Sequence, residues 1–271
     1  MKRIMLVSAV LMAVALLMVS ATGCTKLKAR DNLNKGVQAF KQAQYPEAVE
    51  HFKTAIELDP ELLAARLYLA TAYMSQYIPG AESPENIEMA ETATKEFMKV
   101  LEVEPQNSVA IASIASLNFH QKKFDAAEEW YKKGLAADPR NKEAYYTLGV
   151  IAWTRSFQKR MTARAELGMK PEDPGPLKDP KIREELKAEL LPVIDGGLAM
   201  LEKAIEVDPE YDDAMAYLNL LHRERADFMD SREGFNKETE LADNWVDKTL
   251  ETKKIKAART QSVTAIGITE E

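Results

Sequence analysis

Residues 108–141 read SVAIASIASLNFHQKKFDAAEEWYKKGLAADPRN, and this stretch decides the fold. Apolar residues recur in it at helical spacing over two successive runs, which predicts two amphipathic helices. Asp138-Pro139 follows the second run, and the residue before a proline is biased away from the helical conformation. Further acidic-Pro pairs close comparable runs at Pro60, Pro105 and Pro209, so that the four prolines are 45, 34 and 70 residues apart. The sequence therefore predicts a series of helix pairs, each closed by a proline.

A 34-residue period built from two helices resembles the tetratricopeptide repeat (TPR). Residues 108–141 match this family with a small residue in the first helix and a fixed series after it, namely Ala115, Phe124, Ala127, Tyr131, Gly134 and Pro139. Residues 29–62 match through Gly36, Tyr45, Ala48, Phe52, Ala55 and Pro60. Small residues let two helices approach while the aromatic side chain fills the gap beside them. The resemblance implies an all-α, TPR-type helix-turn-helix solenoid with two insertions, which acts by binding.

The repeats are predicted at 29–62, 63–107, 108–141, 142–211 and, in degenerate or capping form, 212–257. The second repeat is 11 residues longer than the period, and the excess fits the turn-rich stretch 77–84. The fourth repeat carries an insertion at 154–192, in which a loop over 170–180 precedes an additional helix over 181–191 that Pro192 kinks or breaks. Two degenerate repeats within 142–211 are the alternative. Residues 258–271 lack periodicity and are expected to be a disordered tail.

The first 23 residues have the pattern of an export signal. Lys2 and Arg3 precede an apolar run over 4–19, which is short for a transmembrane helix, although an uncleaved anchor is the alternative. The sequence Ala21-Thr22-Gly23-Cys24 resembles the bacterial lipobox, which implies removal of residues 1–23 and lipid attachment at Cys24, with 24–28 as a tether. Thr25 in place of an aspartate favours the outer membrane by the same resemblance, so we expect a lipoprotein at that membrane, facing the periplasm.

Composition excludes several classes of protein. The chain has 271 residues, a formal net charge of −7 and one cysteine, which argues against nucleic-acid binding, an internal disulfide framework and multi-cysteine metal sites. The three histidines, at positions 51, 120 and 222, lie in different repeats, and no phosphate-binding, dinucleotide or zinc-protease motif is present. We therefore expect no cofactor, no metal and no enzymatic activity. The charged stretch 222–227 is either a docking patch or a solvated face, with Arg223 and Asp227 able to pair.

The resemblance places ligands along the first helix of each repeat. The corresponding positions give a predicted partner-binding groove of Phe40, Leu67, Met74, Phe119, Tyr146, Trp153 and Arg223. The Lys/Asn set with which chaperone-binding relatives clamp a C-terminal carboxylate is absent from these positions, which favours an apolar or helical ligand segment. The alternative is that the insertion or the tail of the chain covers the same residues.

Together these features predict a non-catalytic, membrane-anchored TPR lipoprotein. We expect it to act as a scaffold or adaptor in cell-envelope assembly, for outer-membrane proteins, a secretin or a pilus. Regulation of enzymes that synthesise or cleave peptidoglycan is the alternative. An enzyme that uses the 154–192 insertion is a distant third.

Overall fold

The computed structural model describes residues 24–265, so the predicted signal segment 1–23 and residues 266–271 lie outside the described residues. The described chain forms ten helices and contains no strand. Helix α1 covers residues 24–41. The other nine are α2 (Tyr45–Leu58), α3 (Leu63–Gln76), α4 (Pro84–Val103), α5 (Ser108–His120), α6 (Phe124–Ala137), α7 (Lys142–Glu166), α8 (Pro180–Val207), α9 (Asp212–Ala226) and α10 (Arg232–Ala265). They fall into two compact units, with the boundary between Trp130 and Tyr131 inside α6.

Unit 1 is built from short helix pairs whose ends the sequence encodes locally. Asp59 and Glu104 are the C-caps of α2 and α4, and each precedes one of the repeat-closing prolines. Helices α1 and α2 approach closely at the small position predicted in the first repeat, since a Cβ on Gly36 would lie 2.5 Å from the Phe52 ring. Phe52 is fully buried, as are Phe97 and Ile114 in the neighbouring core cluster. Burial of these side chains between consecutive helices stabilises the repeats.

The excess residues of the second repeat form a loop over 77–83, between α3 and α4. Ser83 caps α4 by accepting a hydrogen bond from the Asn86 backbone N–H, 3.2 Å away. The buried Asn86 side chain accepts from the Ile78 N–H (2.7 Å) and donates to the carbonyls of Ile78 (2.9 Å) and Ala81 (2.8 Å). This amide satisfies loop backbone groups that would otherwise lack partners, and so fixes the loop to α4.

Unit 2 contains one long helix pair, α7 and α8, over residues 142–207. The insertion 154–192 comprises the end of α7, a loop over 167–179 and the beginning of α8. The predicted separate helix over 181–191 and a break at Pro192 are both wrong, because α8 runs without interruption from Pro180 to Val207, whereas a kink at Pro192 stays a prediction. Leu190 and Ile194, on either side of the exposed Pro192, are both buried in the core, and this burial keeps the helix continuous across the proline.

Helices α7 and α8 approach closely at two glycines. A Cβ on Gly149 would lie 2.4 Å from Leu201 Cγ, and one on Gly197 would lie 2.5 Å from Ala152 Cβ. Leu201 is fully buried. No larger residue fits at either glycine unless the helices separate.

Both ends of the described chain are more helical than expected. The residues predicted as a tether, 24–28, belong to α1. The predicted disordered tail is wrong as far as Ala265, since α10 extends to that residue. Lys256 of α10 pairs with Asp212, and Arg259 pairs with Glu210 at 2.7 Å, so these ion pairs hold the end of α10 beside the start of α9.

Helices long and apolar enough to cross a membrane are absent from residues 24–265.

Candidate partner-binding site

The groove residues predicted in unit 1 lie in different packing environments. Half-buried Phe40 has its ring centroid 5.4 Å from Tyr45 and 6.4 Å from Tyr68. Leu67 and Met74, also half-buried, pack against the core cluster that contains Phe97. A fourth residue, Phe119, contacts His120 and Phe124 with centroid distances of 5.5 and 6.0 Å. Each side chain is partly exposed, but the first-helix positions of unit 1 do not form one aromatic cluster.

Unit 2 brings its predicted residues together in a connected set of rings, here called the aromatic row. Its members are Tyr146, Trp153, Phe157, Tyr211 and Tyr217, all half-buried. The Tyr217 ring lies 5.5 Å from Tyr146 and 5.6 Å from Trp153, edge-on to both. The row continues from Trp153 to Phe157 (4.9 Å) and from Tyr146 to Tyr211 (5.3 Å).

Helical periodicity explains this alignment. Tyr146, Trp153 and Phe157 are seven and then four residues apart on α7, so they lie on one face of the helix. Tyr217 reaches between the first two from α9. It lies one residue beyond Ala216, the position that the repeat register gives on α9, so the sequence pattern does not identify it. Phe157 was missed because it follows the point at which a repeat of ordinary length ends its first helix.

Two hydroxyls of the row stay neutral far above physiological pH. Burial raises the pKa of Tyr146 to about 12, and the nearby Tyr217 and Asp213 add to the effect. Burial also raises the pKa of Tyr211, and the negative charge of Glu143 raises it further. The row therefore presents apolar ring surface with neutral hydroxyls, which suits an uncharged ligand segment.

Arg223, the predicted groove residue of α9, is held by polar partners on α9 and α10. Its guanidinium donates to Asn219 Oδ1 at 2.9 Å and to Asp243 Oδ1 of α10 at 2.6 Å. The predicted pairing of Arg223 with Asp227 is wrong, because Asp227 is buried and faces α7 instead. Arg223 thus joins α9 to α10, and its place in the groove stays a prediction.

Asp227 belongs to a buried ionic network formed by Arg160, Arg164, Glu224 and Asp227. Arg160 donates through Nε to Glu224 and through a terminal nitrogen to Asp227, both at 2.7 Å. Arg164 donates to Asp227 at 2.7 Å and to the carbonyls of Lys170 (2.8 Å) and Asp173 (2.7 Å).

The side chains of Arg164, Glu224 and Asp227 are each only 2% exposed. Burial raises the pKa of Glu224 to about 7, against the opposing effect of Arg160. From the sequence, the stretch 222–227 is interpreted as either a docking patch or a solvated face. Neither interpretation holds for Glu224 and Asp227, because both carboxylates are buried. Their role is to fasten the end of α7 to the end of α9, with Arg160 lying over the Phe157 ring at 5.8 Å.

The insertion loop contacts the C-terminal end of α9, whereas α10 contacts several positions along it and just before it, including Glu210 and Asp212 on either side of Tyr211 of the row. The Leu177 N–H donates to the Asp227 carbonyl at 3.0 Å, which places the loop at the C-terminal end of α9. Helix α10 contacts Met215 through Thr252 and His222 through Glu238. Residues 215 and 217 point to opposite sides of a helix, about 200° apart. The contacts at Met215 and His222 thus face away from Tyr217, and coverage of the row by the insertion or the tail stays an alternative, since side chains beyond residue 261 lie outside the described set.

Other candidate chemistry is sparse. The His51 Nδ1 lies 3.4 Å from Asn32 Oδ1, His120 contacts Phe119, and the buried His222 pairs with Glu238 at 2.9 Å. Across the residues that the structure describes, no group of three or more His, Cys, Asp or Glu side chains could hold a metal ion. The Cys24 thiol is exposed at the start of α1.

Comparison with known proteins agrees with the repeat architecture. Residues 33–77 and 110–141 match family models described as tetratricopeptide repeat. Hsp70-Hsp90 organizing protein 3 of Arabidopsis thaliana is 33% identical over 115 residues, which cover 42% of this chain and 19% of that protein. Hsp70-Hsp90 organizing protein 1 of Glycine max is 35% identical over 109 residues, covering 40% and 17%. The chain thus matches less than a fifth of the length of these relatives.

Two solved structures show the same fold. The crystal structure of MamA protein superposes with a TM-score of 0.58 at 17% identity, covering 85% of this chain and 94% of that one. YrrB, described as a TPR protein with an unusual peptide-binding site, superposes with a TM-score of 0.54 at 15% identity, covering 87% and 97%. The chain thus carries tetratricopeptide repeats at 33–77 and 110–141, and it has the all-α, TPR-type helix-turn-helix solenoid fold that the sequence predicts.

Proposed function

We propose that the chain is a non-catalytic scaffold that holds an apolar or helical segment of a partner protein on the aromatic row of unit 2. The observation that carries the proposal is the contact of Tyr217 with both Tyr146 and Trp153, which joins rings from two first helices into one surface. Clustered, partly exposed aromatic side chains are the residue type that most often dominates protein-protein binding energy.

The surroundings of the row fit an apolar ligand. Ala216 and Leu220, the first-helix positions of α9, are half-buried and extend the apolar surface. Two cations lie over rings of the row, and both are paired with carboxylates. Arg160, over Phe157, binds Glu224 and Asp227, and Lys142, 4.9 Å from the centre of the Tyr211 ring, binds Asp208 at 2.7 Å. This arrangement favours recognition by shape and apolar contact, and it offers no acid-base pair positioned for catalysis.

Similar proteins support a binding role at the level of the fold. The relatives named above organise Hsp70 and Hsp90, and YrrB has a peptide-binding site. A peptide or helix from a partner is accordingly the proposed ligand here.

The proposed location is the cell envelope, with lipid on Cys24 anchoring the chain to the outer membrane on its periplasmic side. The support is the lipobox resemblance of residues 21–24 and the exposure of the Cys24 thiol. A single acyl chain anchors a protein only weakly, whereas two or more hold it firmly. Within the envelope, the scaffold is proposed to assemble outer-membrane proteins, a secretin or a pilus, with regulation of peptidoglycan enzymes as the alternative process.

Site-specific crosslinking tests the binding surface. A photoreactive amino acid at Ala216, beside the row, is expected to trap a partner in cells, whereas one at the exposed Glu240 of α10 is not. Mass spectrometry of the trapped protein separates an assembly factor from a peptidoglycan enzyme. Equal crosslinking from both positions would argue against the row as the docking surface.

A pair of tryptophan variants provides the matched control. Trp153 and Trp245 are both half-buried and pack against the same core cluster, but only Trp153 belongs to the row. Trp153→Ala should abolish capture of the partner trapped at position 216, while Trp245→Ala should preserve it. The same loss in both variants would indicate a general effect on folding.

The anchor requires its own experiment. Cys24→Ala should leave the chain unlipidated with its signal segment uncleaved, and metabolic labelling with a fatty acid should give no signal. Fatty-acid labelling of Cys24→Ala at the wild-type level would refute attachment at this residue.

A further inference from the structure

The long helices of unit 2 enclose a cleft that the aromatic row does not use. It has a volume of about 500 Å³ and lies between residues 158–166 of α7 and 182–189 of α8. At 100° per residue, the side chains at 159, 162 and 166 lie about 120–180° around α7 from Trp153, and Ala163, at the edge of the cleft nearest the row, lies about 80° from it. The cleft is therefore a separate surface of the same helix.

The cleft has an apolar floor and an acidic rim. Ala163 is buried at its base, with half-buried Ile182 and Leu186 of α8 beside it. Exposed Glu166, Glu185 and Glu189 surround this floor.

The rim keeps an excess of negative charge. Lys159 is the cation that lines the cleft, and it pairs with Glu189. The lining itself contributes three carboxylates and one ammonium group, while Lys181, outside the lining, lies 4.0 Å from Glu185. Anionic lipid headgroups and nucleic-acid phosphates are repelled by such a rim, whereas Lys and Arg side chains are attracted to it.

The shape of the cleft suits a helix. The lining positions recur at intervals of three and four residues on both walls, so that each wall covers about two helical turns, or roughly 10 Å. A groove between two helices with this spacing receives an amphipathic helix whose apolar residues lie at i, i+3 or i+4, and i+7.

The walls are fixed before any ligand arrives. Arg160 and Arg164, which do not line the cleft, fasten α7 to Asp227, and Lys187 of α8 pairs with Asp230 at 2.8 Å. A rigid site loses little conformational entropy on binding. The buried network thus holds the α7 wall, and the partly exposed Lys187–Asp230 pair holds the α8 wall.

We propose that this cleft docks a basic amphipathic helix of a partner protein, with apolar residues on Ala163, Ile182 and Leu186 and with Lys or Arg side chains at the acidic rim. The inference rests on the proposed scaffold function and gives the scaffold a second docking surface. The cleft is lined by residues outside the aromatic row, so an experiment can refute docking at one of the two surfaces without refuting docking at the other.

The test measures binding of a labelled peptide to the full chain by fluorescence anisotropy. The probe is a helical peptide of about 18 residues, long enough to form a helix, with Leu at i, i+4 and i+7 and Lys on the flanking positions. A second peptide carries Glu in place of every Lys. The Lys peptide should bind, and raising the salt concentration should weaken it because rim charges are screened. The Glu peptide should bind at least about tenfold more weakly.

Two glutamates of α8 form a matched pair of charge reversals. Glu185 lines the cleft, whereas Glu202 is exposed on the same helix outside it. Glu185→Lys should weaken the Lys peptide about tenfold, and Glu202→Lys, with the same change of net charge, by no more than about twofold. Equal losses would mean that the peptide responds only to the overall charge of the chain and would overturn the proposal.

Filling the cleft gives an independent result. Thr162 is an exposed residue of the α7 wall, so Thr162→Trp should abolish peptide binding, with circular dichroism confirming the fold. Trp153→Ala should leave peptide binding unchanged while it abolishes partner capture on the aromatic row. No binding to the wild-type chain, or loss in Trp153→Ala but not in Thr162→Trp, would refute the cleft as a docking site. If Thr162→Trp fails to fold, the Glu185 and Glu202 comparison decides.

Discussion

Replacing Gly197 with alanine would add a methyl group where α7 and α8 touch. The new Cβ would lie 2.5 Å from Ala152 Cβ and 2.8 Å from Leu221 Cδ1. Carbon atoms in contact prefer about 3.5–4.0 Å, so the helices would have to separate by about 1 Å. The Ala152 methyl cannot rotate away, which puts the cost near the upper end of the usual 1–3 kcal/mol for overpacking, about 3 kcal/mol. Alanine regains about 1 kcal/mol of helix propensity, so the variant should be about 2 kcal/mol less stable.

Gly196 is the matched control in the same helix. A Cβ at this position meets nothing within 4 Å, so Gly196→Ala keeps the helix propensity gain without the overlap. It should stabilise unit 2 by about 0.5–1 kcal/mol. The two neighbouring substitutions should thus differ in sign and by about 3 kcal/mol in the free energy of unfolding.

Urea unfolding followed by tryptophan fluorescence measures this difference. The chain has three tryptophans, and a Trp130→Phe background leaves Trp153 and Trp245, both in unit 2, as reporters. With a slope of about 2 kcal/mol per M, the two midpoints should differ by about 1.5 M. Coincident midpoints, or a higher midpoint for Gly197→Ala, would show that the helices are not as closely packed at this glycine.

The buried Arg164 and the exposed Arg223 should respond differently to alanine. Arg164→Ala should lower the free energy of unfolding by about 3 kcal/mol, because Asp227 loses a cation and two carbonyls lose their donor. Arg223→Ala should lower it by at most about 0.5 kcal/mol. Equal losses of stability in urea titrations of the two variants would contradict the buried network. Burial raises the pKa of the Glu224 carboxyl from 4.5 to about 7, so the folded chain binds this proton more tightly than the unfolded chain. Stability should therefore fall by about 2 kcal/mol as the pH rises from 5 to 7.5, whereas Glu224→Gln should remove this fall, and parallel curves for the two proteins would refute it. Ser83→Ala should destabilise the first turn of α4 by about 1 kcal/mol in amide exchange, and Ser83→Asp should restore it.

Features governed by neighbouring residues could be predicted from the sequence. Asp59, Glu104 and Asp208 were placed at helix ends by the prolines that follow them, and they are the C-caps of α2, α4 and α8. Proline restricts its own and the preceding residue, so this signal needs no knowledge of the rest of the chain. The turn-rich stretch that forms the loop at 77–83 was found for the same reason.

Pro192 shows where such local reasoning fails. Taken alone, a proline inside a helix removes one hydrogen bond and crowds the preceding turn. Helix α8 continues through it because Leu190 and Ile194 are buried on both sides of the proline. Burial of side chains against distant helices outweighs the local penalty.

The candidate site was predictable only in part. Tyr146 and Trp153 follow from the repeat register, but their contact with Tyr217 spans more than 60 residues of sequence. The pairing of Arg164 with Asp227, 63 residues away, has no local pattern either. The sequence shows which charged residues are present, but it does not show which of them form ion pairs across 60 or more residues.

The helical state of residues 24–28 determines how an acyl group on Cys24 would position the chain. A flexible linker of five residues lets an attached body rotate and vary its distance from the bilayer over about 12 Å. Here the same residues are continuous with α1, whose 18 residues rise about 27 Å. The lipidated residue and the first repeat would then share one rigid rod. The height of unit 1 above the membrane surface, and the direction in which it faces, would depend on the tilt of a single helix.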